Sequence, residues 1–247
     1  MMKTIKKKYK NTQIMKNILI VGAGKGIGLE TAKLLAEENK LITISRNITD
    51  QLEALKTNFF PMDVTKDGLD SLTELPEIIH GIVYCPGSIN LKSFSRLTTQ
   101  DFLNDFNQNV LGAVAIIQKV LPNLKRANGA SIVLFSTVAA KLGMPFHASI
   151  ATAKAAIEGL AKSLAAEFAS SKIRVNVIAP SITDTPLANF LLSTDEKKEA
   201  SAKRHPLQRI GTAEEMAQLV SFLISDQSSW ITGQIIGADG GLGSLKA

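Results

Sequence analysis

The chain has 247 residues, 45% hydrophobic and 20% charged, enough for one sizeable core and little else. Its net charge of +6 is local: six lysines and no acids lie in the first sixteen residues, leaving 22 basic and 22 acidic residues in the body. That balance argues against a nucleic-acid face, the lack of any run near ~18 apolar residues argues against a membrane helix, and one cysteine with three unclustered histidines argues against a disulfide or a metal site.

Residues 1–16 read as a basic extension, either disordered or a mis-assigned start because Met15 directly precedes the first strand-like run; an anion-binding arm is the third reading. It has no apolar h-region of a secretory signal, so a soluble, cytoplasmic protein is expected. From residue 17 to 247 one domain is expected. "NILIVG" is followed by the helical pattern "GIGLETAKLLAEE", then "LITIS", "FFPMD", "GIVYC", "SIVLFS", "RVNVIAP" and "GQIIGA". Strands that alternate with helices and are apolar throughout predict an α/β fold: a single doubly wound, Rossmann-type parallel sheet with helices on both faces.

The first strand runs into "VGAGKGIGLETA", with Gly22, Gly24, Gly26 and Gly28 between strand and helix. Such a turn lets backbone approach a pyrophosphate, whose charge then sits on the helix N-terminus. An ordinary tight turn would use the same glycines, but position and context together point to nucleotide. The second strand ends "ITISRN", with Ser45 and Arg46 where an acid would hold the ribose 2'-hydroxyl of NAD. A neutral residue followed by arginine, with Lys25 in the glycine turn, suits the 2'-phosphate of NADP.

From Met15 to Gly241 these residues resemble the short-chain dehydrogenases/reductases, with 3-oxoacyl-carrier-protein reductases among the closest in pattern. The family's TGxxxGxG motif has its counterpart in Val21, Gly22, Gly26 and Gly28, with Ile27 between the last two glycines. The resemblance implies cofactor contacts from Asp63 and Val64 in "MDVTK", from Gly87 in "YCPG", and from Pro180 and Thr185 in "RVNVIAPSITDTP", where Ser181 replaces the usual glycine. It also implies catalytic roles for Asn109 in "NQNVLGAV" and for Lys154, and places Thr137 of "LFSTVAA" where a serine normally orients the substrate oxygen. Homodimers or homotetramers, and a small-molecule substrate, are implied in the same way.

One departure is central. In "FHASIATAKAAIEGL", the residue four before Lys154 is Ile150, where the family has the tyrosine that protonates the substrate. The chain's two tyrosines, Tyr9 and Tyr84, cannot supply it. Lys154 keeps its implied bond to the nicotinamide ribose, and His147 becomes the candidate acid, since an imidazole titrates near pH ~6.5. An exposed loop histidine is the competing reading; Ser149 reads as a helix cap. Two functions therefore stand: an NADP(H)-dependent oxidoreductase of carbonyls or alcohols, or a cofactor-binding protein without turnover. Leu187, Phe190 and Leu191, at helical spacing after the sixth strand, line a substrate pocket or pack against the body.

Overall fold

The computed structural model describes residues 15–246. The first strand, β1 (Lys16–Val21), takes in the last residue of the segment read as an extension; residues 1–14 lie outside the described residues. In chain order there follow α1 (Gly26–Leu35), β2 (Asn39–Ser45), the short α2 (Asp50–Glu53), β3 (Asn58–Pro61) and β4 (Gly81–Tyr84). Next come α3 (Thr99–Phe106), α4 (Gly112–Arg126), β5 (Ala130–Phe135), α5 (Ala148–Phe168) and β6 (Ile173–Pro180). The two-residue β7 (Thr183–Asp184), α6 (Asp195–Lys203), β8 (Gly211–Thr212), α7 (Ala213–Ile224) and β9 (Ile235–Ala238) complete the chain.

Seven strands form one parallel sheet in the order β3-β2-β1-β4-β5-β6-β9, as expected for a doubly wound domain. The order reverses between β1 and β4, and that reversal opens the crevice in which such sheets bind ligands. The central strands are mostly apolar because both faces are covered. In β1, Ile18 and Ile20 pack toward α1 and α7, while Leu19 and Val21 pack toward α4 and α5. All four are fully buried, and each contributes about 1.5–3 kcal/mol relative to exposure. No described helix is long and apolar enough to cross a membrane.

Two local features position the site. Between α3 and α4 the chain forms a π-helical segment, Asn107–Leu111, which carries Asn109; such bulges often mark functional sites. The preceding α3 starts with a capping box in which Thr98 and Asp101 satisfy each other's backbone N–H groups.

Candidate active site

The glycine turn after β1 is shaped by close backbone contact. Gly22 has φ +80°, in the region that favours glycine. A Cβ on Gly28 would overlap the Gly22 carbonyl oxygen and stand 2.9 Å from its carbon. Gly24 faces a side chain instead, 3.1 Å from the Ser45 hydroxyl. Together with the N-terminus of α1 this cradle fits a pyrophosphate.

A cavity of about 570 Å³ opens over the carboxyl ends of β1, β2 and β4. Of the sequence-predicted cofactor residues, Gly22, Lys25, Gly26, Ile27, Gly28, Ser45, Arg46, Asp63, Val64, Gly87 and Thr185 line it; Pro180 and Lys154 do not. Lys25 and Arg46 are exposed, and neither forms an ion pair among the described residues. Ser45 donates to the Asn47 carbonyl at 2.7 Å, closing the strand end. Asp63 is held as a carboxylate: Thr65 donates to it through its hydroxyl and its backbone N–H, and these bonds, with Lys66 and Arg46 nearby, lower its pKa against a small opposing effect of burial.

Lys66, Thr65 and Gln108 also line this cavity and were not singled out by sequence, and so does Leu187, expected at a substrate pocket or packed against the body. Of these, Lys66 belongs to a quoted motif but carries no spacing signal of its own. Gln108 donates from Nε2 to the Gly87 carbonyl at 2.8 Å, and its own carbonyl accepts from the Tyr84 hydroxyl at 2.7 Å. Burial pushes the Tyr84 phenol well above its ordinary range, with Asp63 and Cys85 adding to the shift, and its bond to the Gln108 backbone ties the π-helical segment to β4. Burial of the Cys85 sulfur pushes its thiol up to about 12, against a small lowering by Lys154.

Of the sequence-predicted catalytic residues, Asn109 and Lys154 meet beside Gly87. Lys154 is 7% exposed, and its Nζ donates to the Phe135 carbonyl at 2.8 Å. Burial lowers its pKa to about 8, opposed by Cys85 and Asp105. Asn109 is 1% exposed; its Nδ2 donates to the Asp105 carbonyl at 2.7 Å and to the Ser88 hydroxyl at 3.1 Å. Its Oδ1 is buried without a partner. That oxygen and Lys154 Nζ each lie 3.7 Å from the point a Cβ on Gly87 would occupy, so both face one gap. An unsatisfied buried acceptor beside an ammonium invites a water or ligand donor.

Thr137 is half-buried and accepts from the Ala139 N–H at 3.3 Å, which leaves its own O–H to donate. Neighbouring Ser136 is committed elsewhere, donating to Glu158 at 2.6 Å. Ile150 is buried one turn before Lys154. His147 stands at the N-cap of α5, its Nδ1 2.7 Å from the Pro145 carbonyl. Ser149 does not cap the helix: its hydroxyl bonds to Asp105 and, at 3.2 Å, to the Asp101 carbonyl. Of the apolar trio after β6, Leu187 and Phe190 are exposed, while Ala188 and Leu192 fill the packing face. Ser181 accepts or donates at 2.8 Å with Nε2 of His205, a buried link between the end of β6 and the segment after α6. Among the described residues no cluster of three or more His, Cys, Asp or Glu is placed to hold a metal.

Fold and cavity together define a doubly wound α/β domain with a glycine-rich cradle at the switch point of its sheet. The family model described as enoyl-(acyl carrier protein) reductase matches residues 22–243. The 3-oxoacyl-[acyl-carrier-protein] reductase FabG of Thermotoga maritima is 32% identical over 243 residues, covering 91% of this chain and 96% of the relative. MabA of Mycobacterium avium, another 3-oxoacyl-[acyl-carrier-protein] reductase, is 28% identical over 234 residues, covering 93% and 91%. Among solved structures, the aldohexose dehydrogenase of Thermoplasma acidophilum superposes with a TM-score of 0.85 at 30% identity, covering 95% of this chain and 96% of that one. ElxO, solved with NADP bound, gives 0.86 at 26% identity, covering 94% and 100%. The chain belongs to the short-chain dehydrogenase/reductase family of oxidoreductases.

Proposed function

We propose that the protein is an NADP(H)-dependent oxidoreductase acting on a carbonyl or alcohol, with an active site that works without a tyrosine before its lysine. The observation that carries this reading is the pair formed by Lys154 Nζ and the unpartnered Asn109 Oδ1 over Gly87. Burying an ammonium and leaving an amide oxygen unpaired both cost stability, and a packing role would be met better by apolar residues. A bound nicotinamide would supply the hydride. Lys25 and Arg46 would hold its 2'-phosphate, Gly22, Gly26 and Gly28 its pyrophosphate, and Thr137 would donate to the substrate oxygen. The names of FabG and MabA, both acyl-carrier-protein reductases, support acyl thioesters as the first substrates to try, with ketones beside them.

Each hydrogen bond from a charged donor is worth about 1.5–3 kcal/mol, so NADPH is expected to bind at least about tenfold more tightly than NADH. Arg46→Ala should remove most of that preference. Fluorescence titration of both nucleotides measures it; equal affinities in the wild type would end the NADP assignment. Turnover is tested by NADPH oxidation across ketones and acyl thioesters. The second reading, a cofactor-binding protein without turnover, rests on Ile150 and is the conclusion if no substrate is reduced while NADPH binds.

Assembly into a homotetramer or homodimer belongs to the same proposal. Leu103 and Leu111 are each 49% exposed on α3 and the π-helical segment, and a Cβ on Gly159 of α5 would meet nothing within 4 Å. Such apolar and small surfaces suit closed symmetric pairing. Light scattering at micromolar concentration should show a dimer or tetramer, and a monomer would refute the assembly.

A further inference from the structure

A second cavity, of about 320 Å³, lies beyond the end of β6 and shares no residue with the one over β1, β2 and β4. Ser181, just after β6, and His205, just after α6, line it together with Asp239 and the apolar side chains of Ile182, Ile210 and Met216. Ser181 is half-buried, and its hydroxyl stands 2.8 Å from Nε2 of His205, which is 2% exposed. Ser88, Ser136 and Ser149 donate to carboxylates; among the described residues, Ser181 is the serine whose hydroxyl meets an imidazole.

The ring is fixed in the orientation that a base needs. Its Nδ1 lies 2.8 Å from the Ser201 carbonyl, an atom that can only accept, so Nδ1 carries the hydrogen and the neutral ring turns the lone pair of Nε2 on Ser181. Ser181 is therefore the donor. The backbone of Gly240 closes one side of the imidazole: a Cβ there would stand 3.3 Å from the His205 Cβ and 3.4 Å from its Cδ2. The His205 carbonyl accepts from the Gln208 N–H at 2.8 Å and from its Nε2 at 2.9 Å, which holds the backbone in place. A hydroxyl bonded to a base that a third group orients is the arrangement of an activated nucleophile. Packing alone between β6 and the later segment needs neither the imidazole nor its tautomer.

We propose that Ser181 is a nucleophile toward activated esters of short apolar acids, with His205 as its general base, in a site separate from the nucleotide cradle. The reaction needs no cofactor and does not rest on the oxidoreductase reading. The Ser181 oxygen attacks the acyl carbon and forms the new C–O bond as its proton passes to Nε2. The carbonyl π pair moves to oxygen and returns as the bond to the leaving alkoxide breaks, and that alkoxide takes the proton from Nε2. Water, deprotonated by the same nitrogen, then splits the acyl-serine into the free acid and the original hydroxyl. Ile182, Ile210 and Met216 are the side chains against which the acyl chain would lie.

The test exposes the full-length protein, without nucleotide, to a fluorophosphonate probe that bonds to activated serine hydroxyls, and maps the label by mass spectrometry. The label is expected on Ser181 and is absent in Ser181→Ala. In His205→Gln, which keeps an acceptor for the hydroxyl but takes up no proton, it should form at least about 100-fold more slowly. His205→Asn is the second variant if the first does not fold, with thermal melting as the check on folding. Release of nitrophenolate from p-nitrophenyl butyrate should fall in parallel with the label. A wild type that takes no label on Ser181 overturns the proposal, whatever the histidine variants do. Equal labelling of Ser181 in a folded histidine variant overturns the base role. A melting temperature lowered by Ser181→Ala, with no label on the wild type, would make the pair a latch between β6 and the segment after α6 and nothing more.

Discussion

Ile150→Tyr is expected to raise carbonyl-reductase activity at least about tenfold. The substitution sets a phenol one helical turn before Lys154, on the same face of α5, where an adjacent ammonium lowers a phenol's pKa. General-acid catalysis by a well-placed group contributes about 10²–10⁴-fold, and a displacement of ~1 Å erases much of that, so tenfold is the conservative expectation. Ile150 is 5% exposed, and the larger ring must displace neighbours, at a cost of about 1–3 kcal/mol in stability. Steady-state kinetics at fixed NADPH, with thermal melting alongside, reads both effects. His147→Ala is the parallel control: with Nδ1 engaged by Pro145, only Nε2 could serve a substrate, so a loss of activity with NADPH binding unchanged would restore the histidine as the acid. No gain from Ile150→Tyr in a folded, NADPH-binding variant would mean that the site cannot orient a phenol.

Gly28→Ala is expected to weaken nucleotide binding more than about 100-fold and to lower stability by about 2 kcal/mol or more. The added methyl meets backbone on every side: the Gly22 carbonyl group and, at 3.2 Å, the Ala23 Cα. No side chain can rotate away, so the turn must open and its N–H groups lose the pyrophosphate. Gly24→Ala is the contrast. Its methyl meets the Ser45 hydroxyl at 3.1 Å, and a serine can turn, so the effect on binding should be smaller. Isothermal titration with NADPH and urea unfolding of both variants test the difference; equal effects would show that the turn tolerates the methyl group.

The amino-acid sequence by itself determined the doubly wound parallel sheet and the place of the glycine turn. The reason is local: seven apolar runs need cover on both faces, and the turn after the first strand needs glycine at position 28, where a Cβ would overlap backbone. The family resemblance also pointed to Asn109 and Lys154, which the fold brings together beside Gly87. The charge state around them was decided only by tertiary structure. Asp101 and Asp105 stand four residues apart on one helix and look alike in sequence, yet Asp101 caps the helix while Asp105 is buried against Ser88 and Ser149. Ser149 looked like a cap and became a carboxylate anchor, and Ser181 found His205 across 24 residues. Polar residues in a helix carry no sign of which face another helix will cover. Burial is a property of the packed assembly of elements, and it alone separates Asp105 from Asp101.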